Sequence, residues 1–129
     1  MKTHRYLRWL LLLGLLFAAS AFAVPLTEQQ KIDALIHSVE IMPGTPFIRN
    51  GTAYDGKAAA EHLQYKRSHA GDRIKTASDF ITFCASKSSI SGQPYQIRYA
   101  DGRTVDAAVY LRDELKRIEA QQATPPTRH

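Results

Sequence analysis

The chain has 129 residues, with 17 Lys and Arg against 12 Asp and Glu, one cysteine, 44% hydrophobic residues and a net charge of +5. That length suits a single domain around one core. One cysteine excludes an intramolecular disulfide, and basic residues scattered without a dense run give no electrostatic footprint for nucleic acid.

Lys2, Arg5 and Arg8 form a positive start, Trp9 to Ala19 is an apolar run without a charge, and Ala21 and Ala23 occupy the two small-residue positions of a peptidase site. This is the three-part pattern of a cleavable secretory signal over residues 1–23, with the cut expected after Ala23. The apolar core, about 11 residues, falls short of the roughly 20 that a spanning helix needs. Val24 rather than cysteine follows the cut, so a lipid-modified N-terminus is not expected, and the absence of an Arg-Arg pair argues against the twin-arginine route. The expected location is the periplasm or the medium, with no membrane span once the signal is removed. Three of the 17 basic residues leave with the signal, so the net charge falls from +5 to about +2.

A single domain is expected over residues 24–120. Thr27 with Gln30 three residues on reads as a capping box, and Ile32, Leu35, Ile36 and Val39 form one apolar stripe of a first helix that ends before Pro43. Asn50-Gly51 between Phe47-Ile48-Arg49 and Thr52-Ala53-Tyr54 is a strong hairpin signal, because both turn residues tolerate positive φ. Asn50-Gly51-Thr52 also matches a glycosylation sequon; in a bacterial export setting it reads as a turn. Asp55 is a suitable cap for a second helix over 57–70, closed by Gly71. Thr76 with Asp79 caps a third, ending near Ser86, whose face of Ala77, Phe80, Ile81, Cys84 and Ala85 places the lone thiol in the core. After a loop with Ser86, Ser88, Ser89 and Ser91, Tyr95 to Tyr99 alternates as a strand. Asp101-Gly102 turns it back through Val105, and Asp106 caps a last helix with Ala108, Leu111, Leu115 and Ile118 on one side. Residues 121–129 are polar and contain proline, the composition of a disordered tail. The fold class is α+β: a small antiparallel sheet from two hairpins, packed by four amphipathic helices.

Two polar features stand out. The helical period sets Ala59, Leu63, Lys66 and Ala70 on one face, with His62 beside them, so Lys66 projects from an apolar stripe. Such a lysine snorkels, pairs with a carboxylate or meets an anion. The serine loop either satisfies helix ends and turns or forms an anion-binding nest. Together these make His62, Lys66, Arg73, Ser86, Ser88 and Ser89 the candidate ligand-binding set for an anionic group, with Glu61, Asp72 and Asp79 as the carboxylates that could neutralise it instead. A Ser–His–Asp hydrolase can be drawn from Ser88 or Ser89 with His62 and Asp72 or Asp79, but the chain has no G-x-S-x-G or S-x-x-K, and no catalytic residue is assigned. His62 and His69 stand seven apart without an H-E-x-x-H, so no metal site and no cofactor are expected.

Phe47-Ile48-Arg49-Asn50-Gly51, Ala60-Glu61-His62-Leu63 with Lys66, Arg73-Ile74-Lys75-Thr76-Ala77 with Phe80-Ile81, Ala85 to Gly92 with Pro94-Tyr95, and Asp101-Gly102-Arg103 occur in that order. The set resembles DUF5329, a family of small exported bacterial proteins known as a domain of unknown function, over about Leu26 to Glu119. The resemblance implies a periplasmic location and no established reaction or ligand; it makes His62, Lys66, Arg73 and the serine loop parts of a recognisable pattern. The expected role is a non-enzymatic envelope protein that binds a small anionic ligand or a protein partner. The alternative is a small periplasmic hydrolase.

Overall fold

The computed structural model describes residues 24–123, so the expected signal segment and the last six residues lie outside the described residues. Helix α1 spans Glu28–Glu40; the Thr27 side chain accepts from the Gln30 backbone N–H, and the Gln30 side chain returns the bond to the Thr27 N–H. Its stripe of Ile32, Leu35, Ile36 and Val39 is buried. Strands β1 (Phe47–Arg49) and β2 (Thr52–Tyr54) pair antiparallel around Asn50 and Gly51, whose φ values of 51° and 77° are the left-handed pair that a tight hairpin requires. Asp55 caps helix α2 (Gly56–Ala70) by accepting from the Ala58 N–H at 2.8 Å.

Gly56 is where α2 meets the end of α1. A Cβ at this position would lie 2.3 Å from the Glu40 carbonyl oxygen and 2.6 Å from that of Val39. Only glycine permits this approach, and it fixes how the two helices join.

Gly71, with φ of 57°, ends α2 and opens a 3-10 turn over Gly71–Arg73. Helix α3 (Ala77–Cys84) begins at a second capping box, Thr76 with Asp79, and buries Ala77, Phe80, Ile81 and Cys84. Strands β3 (Gln96–Arg98) and β4 (Thr104–Asp106) form the second hairpin. Asp106 closes β4 and helix α4 (Ala107–Ala123) starts at the next residue, whose N–H donates to the Tyr95 carbonyl at 2.8 Å. The helix runs through Gln121 and Gln122, past the boundary where the tail was expected to begin. Both glutamines and Ala123 are good helix formers, and the Gln122 side chain accepts from the Leu26 N–H at 3.2 Å.

The four strands form one antiparallel sheet in the order β2-β1-β3-β4, so the molecule is α+β. The two hairpins join through β1 and β3, with Phe47 opposite Ile97 and Ile48 opposite Gln96. Phe47, Ile97 and Tyr95 are all buried. Extending that register by one residue sets Arg49 across from Tyr95. Residues two apart share a sheet face, so Arg49 points to the same side as Phe47, toward the helices.

Candidate functional site

Three elements converge at the β1–β3 junction. Leu63 of α2 is fully buried, and Lys66 and His62 flank it, both partly buried. Lys66 Nζ donates to the Tyr95 hydroxyl oxygen at 3.1 Å and to the Lys87 carbonyl at 3.1 Å. The lysine leaves the apolar stripe by reaching a buried phenol and a loop carbonyl. His62 Nε2 lies 3.1 Å from the same Tyr95 oxygen. On the other side of the ring, Arg49 Nη1 lies 2.8 Å from Nδ1, closer than its 3.3 Å to Nε2.

Donor and acceptor rules point to one tautomer of His62. A guanidinium only donates and Nδ1 is its nearer ring atom, so the neutral ring with its hydrogen on Nε2 fits these contacts best. Nε2–H donates to Tyr95 Oη, which also accepts from Lys66. The phenolic hydrogen is left to point away from both donors. Burial, and then the positive charges of Arg49 and Lys66, push His62 down to about 4. The sequence reading missed Arg49 and Tyr95: each belongs to a stretch of period-two alternation, where an outward Arg and a core Tyr look ordinary.

The serine loop is tied to the first hairpin. Asn50 Nδ2 donates to the buried Ser88 hydroxyl oxygen at 3.3 Å, and the Ser91 hydroxyl donates to Asn50 Oδ1. Ser88 Oγ also accepts from the N–H groups of Ile90 and Ser91, both at 3.3 Å, while its own backbone bonds to Gln93 and Gly92. Asn50 thus serves as turn residue and loop anchor at once, and only the first role is visible in sequence.

Arg49, Asn50, His62, Tyr65, Lys66, Ser88, Ser89, Ile90 and Tyr95 line a cleft of about 260 Å³. Four candidate residues from the sequence meet here: His62, Lys66, Ser88 and Ser89. Ser86 and Arg73 do not. The Ser86 hydroxyl donates to the Ile81 carbonyl at 2.6 Å and finishes the end of α3. Arg73 is exposed, and its Nε reaches the Ala70 carbonyl at 3.4 Å. It lies in the 3-10 turn after α2 and is not part of the cleft lining.

No carboxylate lines this cleft. Among the described residues, neither Arg49 nor Lys66 has a carboxylate within 4 Å: Glu61 pairs with Lys57 at 3.9 Å on the surface, and Asp79 accepts from the Lys75 and Thr76 N–H groups. Arg67, one residue beyond Lys66, is by contrast paired with Asp33 at 2.6 Å. The partners of the His62 side chain are Arg49 and Tyr95, so neither Ser88 nor Ser89, and neither Asp72 nor Asp79, is hydrogen-bonded to it, and the drawn hydrolase triad is not assembled in this structure. Among the described residues there is no group of three or more His, Cys, Asp or Glu that could hold a metal ion, and no helix long and apolar enough to cross a membrane.

Two other cavities differ from the cleft in position and charge. A smaller one of about 140 Å³ shares Arg49 and His62 with it and is otherwise lined by Phe47, Tyr54, Ala58, Ala59 and Glu61. A larger groove of about 660 Å³ lies between α1 and α4, lined by residues such as Leu26, Ile41 and Ile118. Its cation, Arg117, is already paired with Glu114, so the larger groove lacks the unneutralised charge of the smaller cleft.

No solved structure matches the chain. The uncharacterised protein YfeK of Salmonella typhimurium strain LT2 is 38% identical over 68 residues, a segment that spans 53% of this chain and 57% of the relative. That segment is just over half of either protein. A family model described as a family of unknown function matches residues 26–119, which takes in every element from α1 to β4 and α4 except its last turn. With most of the chain covered, including every residue of the cleft, the protein belongs to the family of unknown function DUF5329.

Proposed function

We propose that this is an exported envelope protein that binds a small anionic ligand in the Arg49–His62–Tyr95–Lys66 cleft, without catalysis. The observation that carries the reading is the one-sided chemistry of the cleft. Arg49 and Lys66 bring two positive charges to a space with no carboxylate, and Tyr95 adds a phenolic hydrogen that neither neighbour accepts. Two cations held near each other repel, and an anion relieves that repulsion while accepting from donors already in place. The neutral His62 ring acts as a spacer: it accepts from one cation's side and donates to the phenol on the other. The export part of the reading rests on residues 1–23, whose charge and apolar pattern is that of a cleavable signal.

Thermal unfolding of the protein purified after expression of the full chain, with phosphate, sulfate or acetate added, tests the binding reading. A ligand at ten times its Kd stabilises the folded state by about 1.4 kcal/mol, which raises Tm by roughly 5–10 °C for a domain this small. At least one of these anions is expected to do so, and Lys66→Met is expected to remove the shift. Unchanged Tm with all three, or an equal shift in the variant, rejects the cleft as an anion site.

A further inference from the structure

We infer that the ligand is an amphiphilic anion: a carboxylate or similar head held in the cleft, carrying one apolar group the size of a single ring, which lodges in the neighbouring cavity. This deepens the anion-binding reading and rests on it. The two spaces share a wall made by Arg49 and His62. Beyond that wall the lining turns apolar, with Phe47, Ala58 and Ala59 beside the Tyr54 ring. Phe47 and Ala59 are each only 1% exposed, so the inner end of this cavity reaches the edge of the core, while exposed Glu61 lines its outer side.

Size and charge both set the orientation. The cavity measures about 140 Å³, close to the roughly 150 Å³ apolar space that accepts a benzene ring. The charged group this side adds is Glu61, already paired with Lys57, whereas the cleft side adds Lys66 and has no carboxylate. The head is therefore directed to Lys66 and Tyr95, and the apolar group to Phe47 and Ala58. Arg49 spans the two. Its guanidinium carbon lies 5.2 Å from the centre of the Tyr54 ring, and only Nη1 is engaged, by His62. Its remaining N–H groups can fork onto a carboxylate at the boundary. A group that fits this space packs against Phe47, Ala58 and Ala59 and gains dispersion contacts that the head alone does not make.

Calorimetric titration with 3-phenylpropionate, propionate and 3-phenylpropylamine tests this. Phenylpropionate is expected to bind about tenfold or more tighter than propionate, as burial of a ring implies, and the amine is expected not to bind. Ala58→Leu fills the cavity from a partly buried helix position. It should abolish the advantage of phenylpropionate and leave propionate affinity unchanged. Ala58→Met serves the same purpose if the leucine variant loses its fold by circular dichroism. Equal affinity for the two acids overturns the inference and leaves the anion site standing. If neither acid binds and phosphate and sulfate also fail, the anion reading falls and the inference with it. If Ile90→Ser removes the advantage while Ala58→Leu does not, the apolar group lies on the exposed rim of the cleft, and the cavity assignment is wrong.

Discussion

Lys66 Nζ and Tyr95 Oη meet at 3.1 Å, and this bond ties helix α2 to the residue just before strand β3. Tyr95 is 1% exposed, so its oxygen depends on Lys66 and His62 for partners. Tyr95→Phe leaves His62 Nε2–H without its acceptor and takes one of the two bonds of Lys66. A loss of about 1–2 kcal/mol is expected by urea unfolding. Wild-type stability in the variant would show that solvent already serves these groups.

The His62 ring is expected to titrate near 4, far below its ordinary 6.5, because burial and the charges of Arg49 and Lys66 oppose a second ring proton. The sign of the stability change follows. Above 6.5 both folded and unfolded chains hold a neutral ring. Between 6.5 and about 4 the unfolded chain takes a proton that the folded chain refuses, so stability falls as pH falls. Below about 4 both are protonated and this loss levels off. NMR titration of the His62 ring checks the value. Saturating anion in the cleft should raise it, because the added negative charge offsets Arg49 and Lys66; a midpoint that stays put on anion binding places the ion elsewhere.

Gly56→Ala is expected to destabilise the protein by about 2–4 kcal/mol, even though alanine favours a helix by about 1 kcal/mol. The new methyl would sit 2.3 Å from the Glu40 carbonyl oxygen, and that neighbour is backbone, so α1 and α2 must separate. A variant that unfolds at the wild-type urea midpoint would mean the two helices shift apart at no energetic loss.

Cys84 is 1% exposed, and burial pushes its thiol up. A thiol reagent is expected to label the protein only once it is denatured. Cys84→Ser should lower stability by about 1–3 kcal/mol, because the hydroxyl enters a face of Phe80 and Ile81 that offers it poor partners. Stoichiometric labelling of the native protein within minutes would contradict the burial.

Export is checked by N-terminal sequencing of protein recovered from the envelope or medium, which is expected to begin at Val24. Intact Met1 on protein that remains in the cytoplasm would refute the reading of residues 1–23.

Local chemistry alone determined most of the elements. Both capping boxes, the Asp55 cap, the Asn50-Gly51 turn and the inward face of Cys84 depend on residues within a few positions of one another, and each was legible from spacing. The inward position of Lys66 was legible too, since a helical period fixes which residues share a face. Its partners were not. Arg49 and Tyr95 lie nearly half the domain apart in sequence and reach the same His62 ring only because the two hairpins join through β1 and β3. Nothing in either strand's alternation says which strand will lie beside it. The same holds for Arg73, which the 3-10 turn after α2 leaves out of the cleft lining. Sequence periodicity sets which way a side chain leaves its own element; the pairing of distant strands and the exit path of the chain decide what it meets.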